Sequence, residues 1–365
     1  MVVDIYNRIL GESDVNQMHK KSYYGSLFLG LLLFLGFLVF FVSTLGVADI
    51  SFIDSVKIIV GRIPGINHWF SFDFDSPTHI TIIWNIRLPR IFLSLLIGIG
   101  LSVVGVTFQG MFKNPMADPH VLGVSSGAAL GAVIAMIGNI KGTFLGQSMV
   151  GIMAFLGALG TTWVVYYIAK TGHKIPTVTL LLAGVALSFL LSSLISLIII
   201  FRRNQMEQIL FWTMGSVAAA SWRQVLFLTP FVLGGSIIIF AFSRELNGML
   251  LGEESAKSLG IDVEKTKKIL LIISSIVVAA TVSVSGIIGF VGLIIPHAVR
   301  MMIGPDHRVL LPFSALVGGA FMIFCDTLAR ILVPPMEIPV GAITALFGSP
   351  YFLYLLYKSK KQVLL

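Results

Sequence analysis

The residues of this chain that could do chemistry are mostly charged groups set among apolar neighbours. Asp326 and Arg330 stand four apart within an apolar run, a spacing that puts both on one helix face where they can pair. Arg87 and Arg90 bracket Leu88-Pro89 just ahead of another apolar run. An unpaired arginine at mid-bilayer costs about 2.5 to 3.5 kcal/mol on insertion scales, so helix ends or protein-lined sites are expected for these guanidiniums. A third group runs from Glu253 to Ser258, with acid early, Lys257 late and Gly260 beyond. That order predicts a short helix, and Leu250, Leu251 and Leu259 supply an apolar face, so an amphipathic segment is expected.

Other chemistries have no residues to carry them. The sequence contains no Gly-x-x-x-x-Gly-Lys-Ser/Thr loop to cradle ATP phosphates, no His-Glu-x-x-His site and no Cys-x-x-Cys pair. The seven histidines are scattered, with His297 and His307 read as helix-end or loop residues. The single cysteine, Cys325, lies in an apolar run and reads as an inert buried thiol. No catalytic residue, metal site or cofactor is expected. A chain of buried acids that could relay protons is also missing, which weakens an ion-coupled secondary transporter as the rival reading.

These groups must be positioned by membrane helices. Of the 365 residues 56% are hydrophobic and 12% charged, against about 25% charged in soluble domains. Apolar runs fall near Tyr24 to Leu45, Ile91 to Met111, Val121 to Ile137, Met149 to Ala169, Leu180 to Phe201 and Val225 to Phe242. Four more lie near Ile269 to Ser285, Ile287 to Ile303, Val309 to Leu332 and Ile338 to Tyr357. Each can span about 30 Å of hydrocarbon. An even number of spans places both termini on one side. Sixteen of the 25 Lys and Arg residues fall on the connections of that side, which assigns it to the cytoplasm. The net charge of +8 is scattered in this way and predicts membrane lipid contact, not nucleic acid. The expected organisation is a cytoplasmic arm over 1–23, a ten-helix domain over 24–358 that includes a cytoplasmic segment 244–268, and a tail over 359–365.

Two segments break the helical pattern. Asn114-Pro115-Met116-Ala117-Asp118-Pro119 reads as a turn or broken helix. Gly286 to His297 is apolar but cut by three glycines and Pro296. Irregular backbone at membrane depth must be buried in protein or line a cavity, and interrupted segments often mark a transport pathway. The 36 glycines, many within apolar runs, predict close helix packing.

In order along the chain, these pieces resemble the permease subunits of binding-protein-dependent ABC importers for iron-siderophores, haem and vitamin B12. The resemblance covers nearly everything from about Tyr24. Its marks are Arg87-Leu88-Pro89-Arg90, Gln109 with the Asn114 to Pro119 turn, Leu122 to Ala128, and Leu182-Ala183-Gly184-Val185-Ala186. Further marks are Leu251-Gly252-Glu253 to Leu259-Gly260, Gly289 to His297 and Glu337-Ile338-Pro339-Val340-Gly341.

The resemblance implies an all-α type II importer permease fold with about ten transmembrane helices, working as a homodimer in the cell membrane. It implies two ABC ATPase subunits on the cytoplasmic side, which would account for the missing phosphate loop, and an extracytoplasmic substrate-binding protein on the other. It assigns Glu253, Ala256, Lys257, Leu259 and Gly260 to the ATPase-coupling helix. Arg87, Arg90 and Arg330 match arginines that receive the binding protein's glutamates. Asn114, Met116, Thr177 and Val178 match the cytoplasmic gate, with Val178 standing where relatives often carry a second hydroxyl. The expected cargo is an iron(III)-siderophore, with vitamin B12, haem or molybdate as alternatives.

Overall fold

Hydrocarbon offers a backbone amide no water to bond with, so each apolar run must close its hydrogen bonds internally as helix. The computed structural model of the chain describes residues 2–363 apart from 47, 49, 63–75, 141, 145 and 173. Residue 1 of the expected arm and residues 364 and 365 of the expected tail lie outside the described residues. The arm is helical: α1 runs Val2–Thr44, and its apolar part is Tyr23–Thr44. Next comes α2 (Phe52–Gly61), started by Ser51, whose Oγ accepts from the Asp54 amide at 3.1 Å.

The second span is longer than the sequence suggests. Helix α3 (Pro77–Thr81), a π-helical stretch (Ile82–Arg87) and α4 (Leu88–Met111) follow one another directly, giving an apolar span Pro77–Met111. Hydropathy places its start near Ile91 because Arg87 and Arg90 interrupt the run; the fold neutralises or caps with both, so the helix continues through them. The remaining elements are α5 (Val124–Ile137), a two-strand hairpin of β1 (Thr143–Phe144) and β2 (Gln147–Ser148), α6 (Met149–Ala169) and α7 (Thr177–Phe201). They are followed by α8 (Met206–Thr213), α9 (Trp222–Ala241), α10 (Ser243–Leu250), α11 (Glu253–Ser258), α12 (Val263–Ser285), α13 (Val291–Ile303), α14 (His307–Ile331) and α15 (Val340–Val363). Among the described residues, seven helices are long and apolar enough to cross a membrane, and α5, α13 and the Val340–Leu355 part of α15 are shorter apolar helices. Together they match the ten expected segments.

Helix α4 forms the core. Its most apolar stretch is 83% buried, whereas those of α1 and α7 are 11% buried and lie at the edges. Close approach to α4 is made possible by glycine. A methyl at Gly98 would fall 2.1 Å from the Gly318 carbonyl oxygen of α14, and one at Gly105 would fall 1.8 Å from the Gly292 carbonyl oxygen of α13. Without a hydrophobic drive between helices in lipid, such backbone-to-backbone contact supplies the association.

Contacts between helix ends sort the bundle into two faces. At one, α10 meets the start of α14 through Asn247, and Tyr24 of α1 donates from Oη to the Ile303 carbonyl at the end of α13 at 3.3 Å. At the other, the end of α1 meets Arg87, and Trp222 at the start of α9 donates from Nε1 to the Trp84 carbonyl at 2.8 Å. The first is called the α11 face below and the second the arginine face.

Candidate functional site

The arginine face concentrates charge. Leu88-Pro89 joins the π-helical stretch to α4, where Pro89 has no N–H to bond back along the helix, and Arg87 and Arg90 on either side of it meet different neighbours. Arg87 serves the end of α1. Its Nη1 donates to the Ser43 and Thr44 carbonyls at 2.7 and 2.9 Å, and its Nη2 to Ala48 at 2.7 Å. The Ser43 and Thr44 carbonyls end α1 and lack intrahelical partners, and the negative end of the helix dipole favours the cation.

Arg90 has different partners. Its Nε donates to both Asp326 oxygens at 2.9 and 3.0 Å, and its Nη1 donates to both Glu337 oxygens at 2.9 Å. The expected pairing of Asp326 with Arg330 is corrected: among the described residues, the Asp326 carboxylate is held by Arg90. The reason is geometric. The planar fork of Arg90 approaches from α4 and engages both oxygens at once, which spacing along α14 does not offer Arg330. Arg330 donates to the Val42 carbonyl at 3.3 Å, and its buried Nε has no hydrogen-bond partner. Arg87, Arg90 and Arg330 are 3%, 5% and 9% exposed. All three line a cavity of about 230 Å³ that opens outward beside Ala48, Ile86 and Glu337.

The α11 face is built differently. Helix α11 spans Glu253–Ser258, with Gly260 at φ +81° stopping it. The residues before it are themselves helical as α10, within the expected cytoplasmic segment. Ala256 is fully buried and anchors α11 to the bundle, whereas Lys257 and Gly260 are exposed. Leu251 and Leu259, flanking α11 at its two ends, are 70% and 66% exposed. Glu253 turns inward and pairs with the buried Lys267 of α12 at 2.6 Å. The segment abuts the Asn114 turn: a methyl at Gly252 would lie 3.8 Å from Lys113 Nζ.

That turn is ordered by its own side chains. Asn114 Oδ1 accepts from the Met116 amide at 2.9 Å, and Asp118 Oδ1 accepts from the His120 amide at 2.7 Å, both Asx turns. Met116 is exposed, as is Val178 in the first turn of α7, while Asn114 and Thr177 are half-buried. The second irregular segment meets the first. Phe290 has φ +69° and α13 begins only at Val291, with Pro296 inside it. His120 bridges the two segments through Nε2 to the Ile288 carbonyl at 2.9 Å and through Nδ1 to Ser125 Oγ. Gln109 of α4 donates to the Leu293 carbonyl at 3.0 Å and accepts from Arg300 Nη1 at 2.9 Å, closing a polar network between α4 and α13.

The sequence singles out neither Glu337 nor Lys267 as a pairing partner, nor His120 as a bridge. Glu253 lies 14 positions from Lys267, Arg90 lies 247 from Glu337 and Ile288 lies 168 from His120, outside any helical spacing rule. The one local hint for Glu337 is its place before Ile338-Pro339 at the start of α15, where a carboxylate near a helix N-terminus is favoured.

This architecture has relatives. Residues 31–358 match the family model of the FecCD transport family. A cobalamin import system permease protein of Halobacterium salinarum is 49% identical over 75% of this chain and 73% of its own length. A hemin transport system permease protein of Yersinia pestis is 42% identical over 80% of this chain and 88% of its own length. A solved inward-facing structure assigned to the metal-chelate type of ABC transporter superposes with a TM-score of 0.78 at 34% identity, covering 92% of this chain and 99% of that one. The chain therefore belongs to the FecCD transport family, as a membrane permease of the ABC importer type.

Proposed function

We propose that two copies of this chain form the translocation pathway for a bulky metal chelate, driven by two separate ABC ATPase subunits and fed by an extracytoplasmic binding protein. The α11 face is cytoplasmic in this reading, with both termini, in line with the Lys and Arg bias of its connections. The observation that carries it is α11: a short helix anchored by one buried alanine, with Leu251 and Leu259 presented outward and no internal partner to cover them. A groove on an ATPase is the partner such a surface fits. Asn114, Met116, Thr177 and Val178 at the same face act as the cytoplasmic gate.

At the opposite face, docking centres on Arg330. Arg87 and Arg90 are engaged inside the chain by several hydrogen bonds each, whereas Arg330 makes one, to the Val42 carbonyl, and lines the open cavity, where its guanidinium can receive a carboxylate from the binding protein. Helix α7 supports the homodimer. Only Leu180, Gly184 and Leu191 are buried along it, and its exposed side mixes Phe189 and Leu197 with Ser192, Ser193 and Ser196. Hydroxyls on such a face suit a protein partner or pathway better than lipid.

Two cargo classes stand in the test. An iron(III)-siderophore is the expectation from sequence, and cobalamin is supported by the 49% identity to the Halobacterium salinarum relative. Haem and molybdate are further arms. The purified permease with its ATPases and binding protein is reconstituted in liposomes, and uptake of each labelled cargo is followed with and without ATP. ATP-dependent uptake of one chelate is expected. Uptake by the isolated permease without ATPases, driven by an ion gradient, would instead establish a secondary transporter.

A further inference from the structure

Two polar contacts converge on the first turns of α12. Asp262 caps this helix by accepting from the Lys265 amide at 3.0 Å, which fixes the turn that follows. Two residues on that turn then reach to different elements. Lys267 Nζ pairs with Glu253 Oε1 of α11 at 2.6 Å, its side chain 4% exposed. Glu264 Oε2 accepts from the backbone amide of Ile175 at 3.0 Å.

The position of Ile175 gives the second contact its meaning. Pro176 is the N-cap of α7 and has no N–H, so the Ile175 amide is the last donor before the helix that begins at Thr177. Ile175 is itself buried, 4% exposed. The connection behind it is short and closed: Thr171 and Lys174 exchange backbone hydrogen bonds at 3.0 and 3.1 Å. A displacement of Ile175 therefore moves the start of α7, because neither the turn before it nor the proline after it has slack.

We propose that Glu264 and Lys267 make the first turns of α12 a strut that joins α11 to the start of α7. Glu264 is a positioning residue in it: motion of α11 passes through the Glu253–Lys267 pair into α12, and through Glu264 to the Ile175 amide and on to Thr177 and Val178. This rests on the reading of α11 as the ATPase-docking helix and of Thr177 and Val178 as gate residues. The buried ammonium of Lys267 makes the first joint stiff, since separating it from Glu253 would leave a desolvated charge.

The test uses the full complex with its ATPases and binding protein in liposomes, reading ATP hydrolysis and cargo uptake in the same vesicles. Glu264→Ala is expected to hydrolyse ATP at close to the wild-type rate while uptake per ATP falls about fivefold or more, the size of an ordinary allosteric coupling. Glu264→Gln keeps an acceptor oxygen for Ile175 and is expected to restore most of that ratio. Links in series fail only once, so Glu264→Ala combined with Lys267→Met should be no worse than the poorer single variant. The strut is overturned if uptake per ATP is unchanged in Glu264→Ala, if hydrolysis and uptake fall together, if Glu264→Gln gives no rescue, or if the two losses multiply. A wild-type complex without ATP-driven uptake overturns the importer reading instead, and the strut with it.

Discussion

The two ends of this bundle both carry charge, and they handle it in opposite ways. At the arginine face, three guanidiniums and the Glu337 carboxylate line one small cavity, and Arg90 alone makes four hydrogen bonds to two acids, Asp326 and Glu337. At the α11 face, one pair, half-exposed Glu253 with buried Lys267, secures a helix whose flanking leucines remain uncovered. The first arrangement fixes where α1, α4, α14 and α15 meet. The second secures α11 at one ion pair and leaves Leu251 and Leu259 exposed, which is what the proposed ATPase-docking role requires. A transporter driven from one side needs both, a rigid end to work against and a lever, and the difference lies in how many partners each charged group has.

Substitutions can break this contrast, and the largest effect is expected at Arg90. Arg90→Ala strands Asp326, only 2% exposed, and should lower stability by about 3 to 5 kcal/mol, the usual consequence of leaving a buried charge uncompensated. Thermal unfolding of the detergent-solubilised protein measures it; a shift below one degree would show that the arginine face is not the rigid end. Arg87→Ala is expected to come next, at about 2 to 3 kcal/mol, because two carbonyls of the α1 terminus and that of Ala48 beyond it lose a charged donor. Helix α1 should then become protease-sensitive near Thr44, and cleavage kinetics there report it.

Smaller effects sharpen the same comparison. Gly105→Ala forces α4 from α13, where a methyl would fall 1.8 Å from a carbonyl oxygen, and should destabilise by about 1 to 3 kcal/mol. Its unfolding midpoint should fall between those of the arginine variants and wild type. At the α11 face, Leu251→Ser with Leu259→Ser should leave unfolding within about 0.5 kcal/mol of wild type, as surface changes usually do. The same pair should weaken ATPase association tenfold or more, on the order of a binding hot spot, measured by titrating ATPase onto immobilised permease. Full-strength association would remove α11 as the docking surface.

How much of this was legible in the sequence differs by element. Helix α6 was bounded to the residue by its apolar run, and α11 by acid, lysine and glycine order. The span Pro77–Met111 was legible only in its second part, since its first turns carry charge that hydropathy counts against a membrane helix. Helix α10 was hidden because Ser243–Leu250 mixes polar and apolar residues within two turns. At the candidate site the types were visible but the partners were not: Asp326 and Arg330 satisfy a helical spacing rule, yet Arg90 from α4 takes the carboxylate.

What the sequence by itself determined is what depends on neighbours along the chain: apolar length, helix starts and stops, the side preferred by lysine and arginine, and the family motifs. What only the tertiary structure decided is which distant groups share a charge or a carbonyl. Arg90 chose Asp326 and Glu337, Lys267 chose Glu253, and Ile175 found Glu264. Helix formation is governed by interactions within a few residues, whereas a buried charge is satisfied by whatever the packing of glycine-lined helices brings within hydrogen-bond reach, and that packing is a property of the whole bundle.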